Sequence, residues 1–211
     1  MASMHNLVLR GLNAIYLQAP HVQPADETSF CAFIGNWHSI ITLHHMAEEE
    51  DGFPLIEEMA GEKGIMDESV DQHHAFLGGL DGLGKYAAEC AAGREKYDGK
   101  RVVEMIDGFG PELAGHLEDE IPTIEGLRRY GVEKMAGLKG VLEAEAERNK
   151  VSCTYMIEFI EGRLPDIKCR ADPVWPVYAS SLCRTTSITR AASGQTGRRC
   201  RALSSSCVAT Y

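Results

Sequence analysis

"FCAFIGNWHSIITLHH", residues 30–45, decides the fold of this chain. Apolar residues recur every three or four positions at Phe30, Phe33, Ile34, Trp37, Ile40 and Ile41, and the stripe runs on into His44 and His45. That period places all eight on one side of an α-helix. The helix is expected to begin near Ser29 and to continue through "MAEEEDGFP" to Ala60, where "GEKG" breaks it. The same spacing recurs on either side. Leu7, Leu9, Leu12, Ile15 and Tyr16 mark a segment from Met4 to Gln18, and Val70, His73, His74, Leu77, Leu80 and Leu83 mark one from Ile65 to Cys90. A fourth segment runs from Arg101 to Ile121, where "GFGP" predicts a kink or a break at Pro111. A fifth, charge-rich segment from Val132 to Asn149 reads as a helix packed on the outside.

Strand alternation is scarce, so the expected class is all-α. Four long amphipathic helices with short loops predict an up-and-down four-helix bundle over residues 1–130, an additional helical segment in 131–170 and an irregular tail in 171–211. The tail is rich in Ser, Thr, Arg and Cys, and all 31 acidic residues of the chain precede it or lie at its start, the last being Asp172. With a formal net charge of −10, most of it negative charge on the helical part, the surface would repel phosphate backbones, so nucleic acid is not an expected partner. No apolar run approaches the length of a membrane span. "MASMHNLVLRGLNAIYLQAP" lacks the basic start and small-residue cleavage site of a signal peptide, and seven irregularly spaced cysteines fit reduced thiols. The expected location is cytoplasmic.

The histidines on the apolar stripes carry the chemistry. His44 and Glu48 are four residues apart, as are His45 and Glu49, and "HLEDE" repeats the spacing with His116 and Glu120. Residues i and i+4 of a helix share a face, about 5–6 Å apart at Cβ, so one helix can offer an imidazole and a carboxylate to the same small volume. His5 stands on the first segment and His73 or His74 on the third, so each of the four helices supplies a histidine. A lone histidine on an apolar stripe is usually a core residue with one hydrogen bond. Four of them with two carboxylates are costly to bury without a cation, because each buried charge is penalised by desolvation. A metal site is the reading that removes the cost. The Glu-three-before-His spacing of ferritin-like di-iron sites fails here, since Ile41, Val70 and Leu113 occupy those places.

"MHNLVLRGLNAIYLQAP", "LHHMAEEEDGFP", "DQHHAFLGGL" and "HLEDEIPTIEGL" together resemble the hemerythrin-like, or HHE cation-binding, family, particularly its fungal members, over residues 4–130. The resemblance implies a four-helix bundle around two iron ions, Fe2+ or Fe3+, with an oxo or hydroxo bridge. It implies that His5 and His44 hold one iron, His73 and His116 the other, and that Glu48 and Glu120 bridge them. Phe53 selects His44 over His45, and Phe76 selects His73 over His74; the alternatives His45, Glu49 and His74 are the neighbours of the selected residues. One departure bears on function: Leu77 stands where oxygen-carrying members have a further histidine. Fewer protein ligands leave positions open to small molecules. The expected function is therefore binding of O2 or a related diatomic such as NO, in O2-dependent oxidation of a small-molecule substrate. A sensor or carrier of iron, oxygen or NO without turnover is the alternative. Zinc suits the same ligand types less specifically. The sequence singles out no acid–base catalytic residue, substrate, electron donor or oligomeric state.

Overall fold

In the computed structural model the described residues are 2–144 and 147. Helix α1 spans Ala2–Gln18 and ends in a 3₁₀ turn, Ala19–His21; α2 spans Glu27–Ala47 and passes through a π turn, Glu48–Gly52, into α3, Phe53–Ala60. Helix α4 spans Asp67–Ala91 and α5 spans Gly99–Gly126, followed by 3₁₀ turns at Leu127–Tyr130 and Lys134–Gly137. The chain is helical again over 138–144, and no strand occurs among the described residues. The rest of the segment expected over 131–170, and the tail over 171–211, lie outside the described residues.

Local chemistry sets the boundaries. Gly61, at φ +70°, closes α3 with a pair of bonds from its own N–H to Glu58 O and from Glu62 N–H to Glu57 O, a conformation that a glycine adopts without strain. Asp67 and Glu68 place negative charge in the first turn of α4, where the helix dipole favours it. Asp98 caps α5 by accepting from the backbone N–H groups of Lys100 and Arg101 at 2.9 and 3.4 Å. The expected break at Pro111 is absent: α5 runs unbroken through both Pro111 and Pro122. A proline inside a helix costs a hydrogen bond and a ring clash, about 3 kcal/mol. Phe109, Leu113, His116 and Leu117 are all buried on the same helix, and keeping that face in register outweighs the loss.

The principal helix contacts run α1–α2, α2–α4, α4–α5 and α5–α1, a closed cycle. Particular contacts show that neighbours in the cycle are antiparallel. Trp37 Nε1 donates to Val8 O at 2.9 Å while His5 lies beside His44; His38 meets Asp81 while His45 lies beside His73. Gly79 touches Phe109 while His73 meets His116. A large apolar cluster fills one part of the interior, from Phe30, Ile34 and Trp37 through Leu80 and Leu83 to Ile106 and Leu113. A smaller one, Phe53, Ile56, Met66, Leu127 and Met135, sits beyond it. Along α2 the order is Ile40 and Ile41, then His44, His45 and Glu48, then Phe53 of α3; along α5 it is Leu113, then His116 and Glu120, then Leu127. The polar residues thus form a buried layer between two apolar ones.

The depth of that layer depends on close packing of α4 against α5. A Cβ on Gly79 would fall 2.7 Å from Cβ of Phe109, whereas one on Gly78 would meet nothing within 4 Å. We therefore expect Gly78→Ala to stabilise the protein by roughly 1 kcal/mol through helix propensity. Gly79→Ala, forced against Phe109, is expected to destabilise it by about 1 kcal/mol or more despite the same gain. Urea denaturation of the two variants checks this, and equal stabilisation by both would contradict the helix spacing.

Candidate metal centre

Seven side chains converge in the polar layer. His5, His44, His45, Glu48, His73, His116 and Glu120 are each no more than 2% exposed. They fall into two groups whose donor atoms lie within 4.8 Å of one another: His5, His44, Glu48 and Glu120 in one, and His45, Glu48, His73 and His116 in the other. All six residues singled out in the sequence are here. Glu48 belongs to both groups, and Glu120 to the first alone. Of the neighbours left as alternatives, His74 is exposed and Glu49 stands at the rim of the layer.

His45 is the addition. Family spacing selected one histidine of the 44–45 doublet, yet both face inward. The signal was present in the stripe, which ran through both positions. Adjacent helical residues point about 100° apart, so each imidazole can serve a different group. His45 packs against His73, His116 and Phe76 at ring separations of 4.3, 5.2 and 5.0 Å, and neither of its ring nitrogens makes a hydrogen bond.

The π turn that follows α2 was not legible in the sequence. Pro54 has no N–H to give to the preceding turn, and Phe53 N–H bonds to Glu48 O five residues back. This wider turn carries Glu48 into the centre and leaves Glu49 beside His73. Phe53 then stacks on His73, 5.7 Å between ring centres and 25° between planes.

The hydrogen bonds decide where the imidazole protons sit. His73 Nδ1 lies 2.6 Å from Glu49 Oε1 and donates to that carboxylate. Gln72 donates through Nε2 to Asp119 Oδ2 at 3.1 Å, which turns its Oε1 towards His116 Nδ1, also at 3.1 Å, so His116 Nδ1 is likewise a donor. His5 Nδ1 donates to Leu117 O at 2.9 Å and presents Nε2 to Glu120 Oε2 at 3.0 Å. Burial holds three of the imidazoles neutral: it pushes His73 down to about 4, His116 down to about 3 and His45 well below the usual 6.5, with neighbouring imidazoles lowering His45 further. A neutral ring with its proton on Nδ1 has a bare lone pair on Nε2. The Nε2 atoms of His73 and His116 are 3.1 Å apart, so two lone pairs face each other at hydrogen-bond distance with no proton between them. A cation placed between them would make that arrangement favourable.

The carboxylates agree. Burial alone would raise Glu120, but the contact with His5, together with His116 and His44 close by, outweighs it and carries the carboxyl down to about 2. Glu48 Oε1 lies 3.3 Å from His44 Nε2 and Oε2 lies 3.7 Å from His73 Nε2, so its two oxygens reach towards opposite groups. Five imidazoles and two carboxylates can hold metal ions. Cys31 and Cys90 belong to neither group. No helix among the described residues is long and apolar enough to cross a membrane.

Two predictions follow from this geometry. His44→Ala and His116→Ala should each lower metal content and melting temperature, whereas exposed His21→Ala and Asp81-paired His38→Ala should change neither; atomic absorption and calorimetry on the four variants test it. The second concerns acid. Because the buried imidazoles bind protons less readily folded than unfolded, their contribution to metal-free stability is complete above pH 6.5 and is lost as pH falls towards about 4 and then 3. Glu120 adds stability that is full above 4.5 and is lost as pH falls to about 2. The melting temperature of the metal-free protein should drop between pH 7 and pH 4, and a flat profile there would contradict the buried neutral rings.

Among known proteins, the chain is 37% identical over 136 residues to the "Dimeric xanthone biosynthesis cluster protein R11" of Cryptosporiopsis sp. (strain 8999). The match covers 64% of this chain and 51% of the relative, so the chain spans about half the length of that protein. No family model matches, and no solved structure matches.

Proposed function

We propose that this chain is a non-haem di-iron protein of the hemerythrin-like kind, an up-and-down four-helix bundle that binds O2 or a related diatomic ligand such as NO and uses it in O2-dependent oxidation of a small molecule. The observation that carries the reading is the pair of buried donor groups joined by Glu48. Imidazole with carboxylate, and no thiolate, suits iron; zinc is tolerated by the same donors. Iron held by these residues would supply electrons to O2, with an external reductant returning them.

The residues of the chain do the rest. Glu49, the Gln72–Asp119 pair and Leu117 O keep the Nδ1 protons of His73, His116 and His5 in place, so each ring offers Nε2 to the centre. Glu48 and Glu120 bring negative charge that offsets the cations. Phe53 stacked on His73, and Phe76 beside His45 and His116, wall the layer with apolar surface and exclude bulk water. Each group provides four protein donors, and His45 brings a third imidazole to the second group although Leu77 supplies none. Positions beyond these four donors would stay open for a small ligand. The relative's name places that protein in a biosynthesis cluster, which fits a role in small-molecule oxidation.

The test is to load metal-free protein anaerobically with Fe2+, measure bound iron, then follow O2 consumption with a reductant present. Close to two equivalents of iron and many O2 consumed per chain are expected. One cycle ending in a stable product would make the protein a carrier or sensor of oxygen, iron or NO. Less than one equivalent of any metal would overturn the di-iron reading.

A further inference from the structure

The two donor groups are chemically unlike. The first offers two imidazoles and two carboxylates, His5, His44, Glu48 and Glu120; the second offers three imidazoles and one carboxylate, His45, His73, His116 and the shared Glu48. Imidazole-rich sites favour borderline ions such as Zn2+, Co2+ and Fe2+, whereas carboxylate-rich sites favour harder ions such as Mn2+ and Fe3+. Charge sharpens the contrast. Glu48 is common to both groups, but Glu120 adds a full negative charge to the first alone, and in the buried layer that charge is weakly screened.

The second group is also the better prepared for a metal. Two of its rings are anchored at Nδ1 by side chains: His73 by Glu49 at 2.6 Å, and His116 by Gln72, itself held by Asp119. A carboxylate behind the ring fixes its orientation and raises its basicity as a ligand. His45 adds a third imidazole with neither nitrogen hydrogen-bonded, so no protein bond has to break before it binds. The opposed Nε2 atoms of His73 and His116, 3.1 Å apart, give this position the larger relief when a cation enters.

We propose that the centre discriminates between its two positions. The His45–His73–His116 position fills first and prefers a borderline divalent ion, and the His5–His44–Glu120 position fills second and prefers a harder ion, so that a chain offered two different ions, rather than iron alone, takes up a mixed pair. This rests on the reading of the layer as a two-metal site and goes beyond it by assigning a preference to each half. His45 is the residue that makes the halves differ: without it both groups would have two imidazoles.

The experiment uses the full chain, stripped of metal and kept anaerobic. Zn2+ is titrated first, with a chromogenic competitor reading each equivalent, and Mn2+ is then added to protein carrying one Zn2+, with its paramagnetic resonance signal and elemental analysis read after desalting. The first Zn2+ should bind at least about tenfold more tightly than the second, a difference comparable to that made by a single supporting contact at a metal site. The one-zinc protein should then take up one Mn2+. Glu120→Gln should abolish Mn2+ uptake and leave the first Zn2+ affinity unchanged. His45→Asn should weaken the first Zn2+ and leave Mn2+ uptake intact, with helical circular dichroism of both variants recorded alongside. Two Zn2+ of equal affinity in the unaltered protein, or Mn2+ displacing the first Zn2+, would overturn the discrimination while leaving a two-metal site standing. Less than one equivalent of either ion would overturn the two-metal reading as well.

Discussion

Two imidazole nitrogens held 3.1 Å apart, each with its proton committed to the far side of the ring, are the constraint on which this interior depends. Glu49 takes the proton side of His73 and Gln72 that of His116. Burial keeps both rings neutral at physiological pH, so protonation cannot relieve the opposition. An apolar core would never retain such a pair for stability. A buried polar group left unsatisfied costs about 1–3 kcal/mol, and His45 adds two more nitrogens in that condition. The layer would become favourable if cations took up the lone pairs and offset Glu48 and Glu120.

The helices exist, in this sense, to bring the layer to one depth. Antiparallel packing sets His5 near the start of α1 against His44 and His45 near the end of α2, and His73 near the start of α4 against His116 late in α5. Apolar clusters on both sides keep the depth fixed. Where the donors need more than an α-helix can provide, the backbone departs from it: the π turn at Glu48–Gly52 lets consecutive glutamates serve different purposes, one inside the centre and one behind His73. Wider helical turns of this kind recur at functional sites because they re-aim side chains without ending the helix.

Much of this was legible beforehand, for identifiable reasons. Period-3.6 stripes marked every long helix, and the i, i+4 pairs His44–Glu48 and His116–Glu120 marked the donors, because both are properties of one helix alone. The residues that escaped depend on how helices meet. Whether His45 faces inward beside His44 depends on where α4 and α5 lie, and spacing from Phe53 within one helix could not decide it. The persistence of α5 through Pro111 likewise follows from what its buried face packs against. The roles of Gln72 and Asp119, ordinary surface-type residues in the sequence, emerge only once His116 is placed beside them. Most of the segment expected over 131–170, and the Ser- and Arg-rich tail, lie beyond the described residues.

The proposed function requires two cations in this layer, one on each side of Glu48. Diffraction from crystals of the iron-loaded protein, with data on either side of the iron absorption edge, tests it most directly. Two anomalous peaks are predicted, one among His5, His44 and Glu120 and the other among His45, His73 and His116. A layer without a peak, or a single peak outside both groups, would contradict it.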